Sequence, residues 1–363
     1  MKMKIISPFR ILSAGACAAL LAAQLAVGQS PREHLSLDAG WKFHLGDDWP
    51  DALHLENSGT GSGPASERFT DSYWRVVNLP HDWAVELPFD STADGSHGFK
   101  ALGRNFPSNS IAWYRRTFEL PAGDSGRRIW LTFDGVFRDA TVWVNGWCVR
   151  HHEGGYYPFR EDITDVLHFG GTNTISVRVD ATKSEGWFYE GAGIYRHVWL
   201  DKTAPVAIAP DGVFARSEFE KNIPQGSPKI AVEVRLLNTT TNATKAAVNC
   251  EIISPDGKSL KQISGSEKLE RKSRGAVKLE SELSAPVLWS PESPNSTSSS
   301  PQFPSPTKSL IKKKPLSVSA RLALTQPTGF YSTAGITNFT APAIIRITPA
   351  LARPFPMRCR NSA

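Results

Sequence analysis

Between Ser36 and about Pro205 the apolar residues fall in short runs broken by turn sequences. Ile129-Trp130-Leu131-Thr132-Phe133 stops at Asp134-Gly135, and Ala140-Thr141-Val142-Trp143-Val144 stops at Asn145-Gly146, with Trp147-Cys148-Val149 directly after it. Two apolar runs joined by Asn-Gly predict a β-hairpin, because both residues tolerate the positive φ that a tight two-residue turn demands. Thr174 to Val179 alternates polar and apolar residues, as a strand with one buried face does. Helical periodicity is not sustained anywhere in this stretch, which predicts an antiparallel β-sandwich.

The pattern continues after Pro205 with a different texture. Lys229 to Leu236, Ala247 to Ile253 and Gly275 to Leu283 read as strands, and Ser254-Pro255-Asp256-Gly257 reads as a turn. Short alternating strands of this kind predict a second, immunoglobulin-like β-sandwich over residues 206–294. From Asn295 the chain is rich in Ser, Thr, Pro and Lys, and Pro327, Pro342, Pro349, Pro354 and Pro356 follow without periodicity. Such a composition cannot build a packed core, so residues 295–363 are expected to be a disordered tail.

Composition supports an all-β chain with many turns: its 363 residues include 11 Trp, 26 Pro and 28 Gly. The net charge of +6 does not indicate a nucleic-acid partner. Its excess lies in the first residues and the tail, and no aromatic-basic motif of a nucleic-acid-binding module is present. Lys2, Lys4 and Arg10 precede an uncharged apolar run, Ile11 to Val27, and Ala26-Val27-Gly28 offers small residues for cleavage. Residues 1–28 are therefore expected to be a signal peptide, and the protein periplasmic or secreted, with no membrane contact after leader removal. A membrane anchor is the poorer alternative, because the Ala-rich run is short for a span. Lipid attachment at Cys17 is a third, against which Ala14 stands where such a signal has Leu. Cys148, Cys250 and Cys359 show no close spacing, and no zinc pattern exists. Two structural thiols and a tail cysteine are expected, with no metal and no other cofactor.

Seven strings then occur in a telling order. They are Trp41-Lys42-Phe43 with Gly46-Asp47, Leu79-Pro80-His81-Asp82-Trp83, Ala112-Trp113-Tyr114-Arg115-Arg116-Thr117-Phe118, Phe133-Asp134-Gly135-Val136, Val142-Trp143-Val144-Asn145-Gly146, Gly154-Gly155-Tyr156-Tyr157-Pro158-Phe159, and the run Gly191 to Leu200. Together they resemble the sugar-binding domain of glycoside hydrolase family 2, the β-galactosidase/β-glucuronidase family. Leu288-Trp289-Ser290-Pro291 resembles that family's exit from its second domain. The resemblance covers about Leu37 to Pro294. It implies a jelly-roll, galactose-binding-like sandwich over residues 36–205, and a β-linked glycoside or oligosaccharide as partner. Oligomeric state is not legible.

The residues themselves agree with a carbohydrate role. Sugars present apolar C–H faces and rings of hydroxyls, which aromatic rings and carboxylates respectively recognise. Glu185-Gly186-Trp187-Phe188-Tyr189-Glu190 offers both, beside glycines that let a loop turn tightly. The candidate substrate-binding residues are Glu185, Trp187, Tyr189, Glu190 and Asp82, with a turn-capping carboxylate as the alternative role for Asp82. Trp113, Trp130 and Trp143 lie in strands and are expected to fill the core. The resemblance implies that the Glu185–Glu190 loop reaches toward a following TIM barrel and shapes the terminal-sugar subsite.

Catalysis is read differently. Retaining glycosidases place two carboxyl groups roughly 5 Å apart, and the resemblance implies that both come from the barrel. Asp47-Asp48 and Glu161-Asp162 are neighbours in sequence, so strand geometry points each pair to opposite faces. No catalytic residue is assigned. The tail carries one more signal. Codons compatible with Ala341 to Ala350, read one nucleotide out of frame, spell G-T-C-N-H-Q-D-H-A-G, which resembles the family's first barrel strand. A frameshift between about Asn295 and Val318 is therefore expected. Two readings follow: a β-galactosidase-like hydrolase truncated before its barrel, or a stand-alone secreted carbohydrate-binding protein.

Overall fold

The structure, a computed structural model, describes residues 32–53, 61–186, 188–222, 226–253 and 258–284, and the strands at 316–323 and 346–347. The expected leader lies outside these residues.

The first half contains ten strands: β1 (Arg32–Ser36), β2 (Trp41–Leu45), β3 (Arg75–Val77), β4 (Ile111–Leu120), β5 (Arg128–Phe133), β6 (Asp139–Val144), β7 (Trp147–Glu153), β8 (Phe159–Asp162), β9 (Gly171–Asp180) and β10 (Val198–Thr203). They form a six-stranded sheet, β3-β2-β4-β9-β6-β7, and a four-stranded sheet, β1-β10-β5-β8. Every pairing in both is antiparallel. Trp41, Phe43 and Tyr114 from one sheet and Leu131, Phe133 and Leu200 from the other are buried in a common core.

The predicted hairpin is present: Asn145 and Gly146 take φ of 50° and 80°, and Val144 pairs with Trp147. Between Val142↔Arg150 and Trp143↔Cys148 the ladder shifts by one residue, a β-bulge at Val149.

Two expectations need correction. The alternation in β9 predicts one buried face, yet Asn173 to Val179 are buried on both. The outer face of the six-stranded sheet is covered by the chain between β2 and β3, which builds a satellite cluster with Ala52, Ala65, Trp74, Trp113 and Trp143. The polar positions of β9 are spent on this cover. Ser176 donates to the Pro64 carbonyl, and Arg178 pairs with Asp47. Trp113 and Trp143 are buried as expected, within that outer cluster, whereas Trp130 is only half-buried, against expectation. In β5 it is Ile129, Leu131 and Phe133 that point inward, so period two turns Trp130 outward.

The second half forms a smaller sandwich. A three-stranded sheet, β11 (Val206–Glu218), β12 (Lys229–Asn238) and β15 (Ser273–Glu282), faces a sheet built on β13 (Thr244–Ile253) and β14 (Ser259–Leu269). Ile230, Val232, Val234 and Leu236 meet Val248, Cys250 and Ile252 in its core. The expected turn at 254–257 lies outside the described residues, as does most of the expected tail. Within the tail, β16 (Leu316–Ala323) pairs in parallel with β13, and β17 (Arg346–Ile347) pairs with β16.

Candidate functional site

One end of the first sandwich is built by three stretches: residues 81–106 before β4, residues 154–158 between β7 and β8, and residues 181–197 between β9 and β10. The first and third are zipped together through their backbones. His81 N–H donates to the Ile194 carbonyl at 2.9 Å and Trp83 N–H to the Ala192 carbonyl at 3.0 Å. Trp83 anchors this seam: its ring is buried and its Nε1 donates to the Asn109 carbonyl. Gly193 is required by close approach. A Cβ there would stand 2.6 Å from both the His81 carbonyl and the Tyr114 hydroxyl, and its φ is +125°.

Asp82 caps the turn Trp83–Glu86, accepting from Ala84 N–H at 2.9 Å. The same oxygen accepts from Ala192 N–H at 2.8 Å, and the other accepts from the Tyr189 hydroxyl at 3.0 Å. Asp82 therefore holds the strand-connecting loop rather than standing free.

Glu185 and Glu190 fold the loop onto itself. Glu185 N–H donates to both Glu190 carboxylate oxygens, at 2.8 and 3.0 Å, and Glu190 N–H donates to the Ser96 carbonyl. The Glu185 carboxylate accepts from Gly155 N–H at 2.8 Å and from Arg138 Nε at 3.3 Å, which ties 181–197 to 154–158. Arg138 also pairs with Glu153, and Lys183 with the same carboxylate. Tyr189 adopts φ +55°, and its ring lies over Gly98, where a Cβ would come within 2.7 Å. Trp187 lies outside the described residues. Of the five candidates, the structure thus brings Asp82, Glu185, Tyr189 and Glu190 into one cluster.

Residues that the sequence reading did not single out complete the surface. Phe89, Tyr157 and Phe188 are each at least 70% exposed, and Phe99 is half exposed. Lys100 Nζ lies 4.1 Å from the Phe89 ring centre. His97 is fully buried beneath the loop, with Nδ1 lacking a hydrogen-bond partner and its ring edge-on to Phe137. Burial pushes its pKa down, against the opposing pull of Glu190, Asp94 and Asp82. Nothing in Gly95-Ser96-His97-Gly98 signals that role, because burial here comes from distant chain segments.

Burial raises the pKa of the Tyr156, Tyr189 and Tyr195 phenols, and the carboxylates of Asp82, Glu185 and Glu190 add to the effect. All three stay protonated at neutral pH. The Tyr189 and Tyr195 protons are given to Asp82 and to the Gly155 carbonyl, so the site offers aromatic faces together with phenol and carboxylate oxygens that accept, a set suited to a sugar ring and its hydroxyls. The sequence-adjacent acid pairs serve elsewhere. Asp47 holds Trp113 and Arg178 while Asp48 meets His44, and Glu161 holds Arg150 while Asp162 holds Arg128. Among the described residues no three His, Cys, Asp or Glu side chains are grouped to hold a metal ion, and no helix is long and apolar enough to cross a membrane.

Comparison with known proteins places these features in a family. Residues 100–205 match the sugar binding domain of glycosyl hydrolases family 2. The chain is 32% identical over 274 residues to β-galactosidase BoGH2A of Bacteroides ovatus, a match covering 73% of this chain and 29% of that protein. It is 27% identical over 210 residues to a β-glucuronidase of Formosa agariphila, covering 52% of this chain and 21% of that one. Among solved structures, a family 2 glycosyl hydrolase from Bacteroides cellulosilyticus superimposes with a TM-score of 0.61 at 30% identity, over 72% of this chain and 32% of that one. The chain thus spans less than a third of the length of these relatives.

Proposed function

Because this chain belongs to glycosyl hydrolases family 2 through its amino-terminal sandwiches, we propose that it is the sugar-binding front end of a β-galactosidase-like retaining glycosidase. Its ligand on this reading is a β-linked glycoside. The observation that carries it is the end of the first sandwich, where exposed Phe188 and Tyr157 flank the Glu185–Tyr189–Glu190 loop. An exposed aromatic face beside fixed carboxylates and phenols suits a pyranose, whose C–H face stacks while its hydroxyls bond. Glu185, Trp187, Tyr189 and Glu190 are the proposed contacts, and Asp82 is proposed as the residue that fixes Tyr189.

The finer reading is that the chain as written is a truncated form without the catalytic pair, exported to the periplasm or beyond behind a leader at residues 1–28. Residues 295–363 are read as out-of-frame sequence in place of the start of a TIM barrel. The alternative, a stand-alone carbohydrate-binding protein, shares the same site. A titration of this chain with methyl β-galactoside and methyl β-glucuronide, followed by NMR shifts of the 181–197 amides, tests the binding reading. Shifts confined to that loop support it, and shifts elsewhere, or none with sugar raised to about 100 mM, well above a millimolar Kd, count against it.

A further inference from the structure

Behind the sugar-facing segment runs a chain of polar groups that leads from the core to the surface. The Tyr114 hydroxyl, fully buried, lies 2.7 Å from His81 Nδ1. His81 Nε2 lies 3.4 Å from Glu86 Oε1, and Glu86 forms a two-pronged pair with Arg75 at 2.7 and 3.1 Å. The His81 N–H donates to the Ile194 carbonyl at 2.9 Å, so backbone and ring of His81 both meet the stretch that passes the Tyr114 oxygen. That oxygen is also the atom against which Gly193 is wedged.

Proton counting fixes the state of the ring. The fully buried Tyr114 hydroxyl needs an acceptor for its proton, and His81 Nδ1, at 2.7 Å, is the acceptor in reach. His81 then carries its proton on Nε2, directed at Glu86. The other tautomer would leave the Tyr114 proton unmatched in a fully buried place, at the cost of an unpaired polar group. Protonating the ring creates the same conflict and sets a second cation beside Arg75, whose Nη2 is 3.5 Å from Nε2.

We propose that His81 is a positioning residue: its neutral ring, bonded to Tyr114, pins the segment Tyr189–Ile194, and acidification releases that pin. The sugar-facing role of the segment rests on the function proposed above, while the pin itself does not. The charged groups that act on the ring are Glu86, Arg75 and Asp82. Glu86 and Asp82 favour the imidazolium, Arg75 opposes it, and burial opposes it most, so the His81 pKa lies below its ordinary value of 6.5. Phe43 covers one side of the ring edge-on and carries no charge. A group with a lowered histidine pKa contributes fully above 6.5 and loses its contribution as pH falls through the window beneath it.

The test is hydrogen exchange of the full chain, corrected for intrinsic rates, with the β4 and β9 amides as a control for global opening. In the wild type, protection of the Trp83 and Ala192 amides is expected to fall by about tenfold per pH unit within that window while the strand amides hold. His81→Asn keeps an acceptor where Nδ1 stood but cannot titrate, and should hold protection constant with pH. Tyr114→Phe should lower protection at every pH. A nuclear magnetic resonance titration of the His81 ring in the wild type gives a second readout that needs no variant. Loop protection independent of pH, or a His81→Asn protein as acid-sensitive as the wild type, would overturn the proposal; the latter result would move the sensor to His97. Sugar binding measured on the same samples at neutral pH separates failure of the pin from failure of the binding reading.

Discussion

The Tyr189 hydroxyl donates to Asp82 across 107 residues of sequence, at 3.0 Å, on the carboxylate whose other oxygen accepts from Ala84 and Ala192. One side chain therefore caps a turn, ends a backbone seam and fixes an aromatic ring of the candidate site. Asp82→Ala removes all three bonds and leaves two backbone donors to find water. We expect a loss of about 1–2 kcal/mol in urea unfolding, the range of a lost cap. Asp82→Asn keeps an acceptor and should lose less. Equal losses from both variants would show that the cap carries no weight.

Gly155 joins the 154–158 stretch to the candidate loop. Its N–H donates to Glu185, and a Cβ at this position would stand 2.2 Å from Cδ2 of the buried Phe137 ring. That ring is edge-on to His97 and Tyr156, so it cannot retreat cheaply. Gly155→Ala is expected to cost about 1–3 kcal/mol by overpacking. It should also shift the amides of 185–190 by displacing the Glu185 acceptor. A Gly155→Ala protein with wild-type stability and an unshifted loop would contradict this account.

The fold was legible where local chemistry decides it. The Asn145-Gly146 turn specifies its hairpin by backbone preference alone, and β12 shows its buried side through Ile230, Val232, Val234 and Leu236. Legibility failed where distant segments decide. The double burial of β9 depends on a loop over a hundred residues earlier, which brings Pro64 to Ser176. The edge strand β14 was not foreseen, because Ser259–Leu269 is mostly exposed and offers weak alternation. In the site, the carboxylates of Glu185–Glu190 stood out by type, but their mutual bonding did not, nor did Arg138, His97 or the exposed Phe89 and Phe99. Those arrive from other loops, and no spacing rule connects them.

The two described thiols differ in environment. Cys250 is buried among Val248, Ile252 and Ile230, and burial pushes its pKa up to about 11. Cys148 is half-buried, with a pKa raised by burial to a lesser degree. Both are free. Because the thiolate is the reactive form, Cys250 should resist alkylation at pH 8 until the second sandwich unfolds, and Cys148 should react first. Mass spectrometry after timed iodoacetamide treatment reads the order. Rapid native labelling of Cys250 would mean that the second core opens far more readily than its packing implies.

The chain as written should not hydrolyse aryl-glycosides above background. Retaining hydrolysis needs one carboxylate as nucleophile and a second as proton donor, about 5 Å apart. The acids of the candidate loop are already committed otherwise: Glu190 to the Glu185 amide, Glu185 to Arg138 and Gly155, and Asp82 to Ala192 and Tyr189. Positioning a sugar against them supplies neither a free nucleophile nor an acid poised at the glycosidic oxygen. A half-open surface also buries little of a monosaccharide, so binding should be millimolar or weaker, on the order of −4 kcal/mol. If the tail is out of frame, correcting the gene by one nucleotide between the codons for Asn295 and Val318, with its downstream sequence present, should give turnover. Both proteins are to be assayed on nitrophenyl β-galactoside and nitrophenyl β-glucuronide after removal of host enzymes. Clear activity from the uncorrected chain would place a catalytic pair within these sandwiches, and silence from the corrected gene would remove the frameshift reading while leaving sugar binding to be judged by titration.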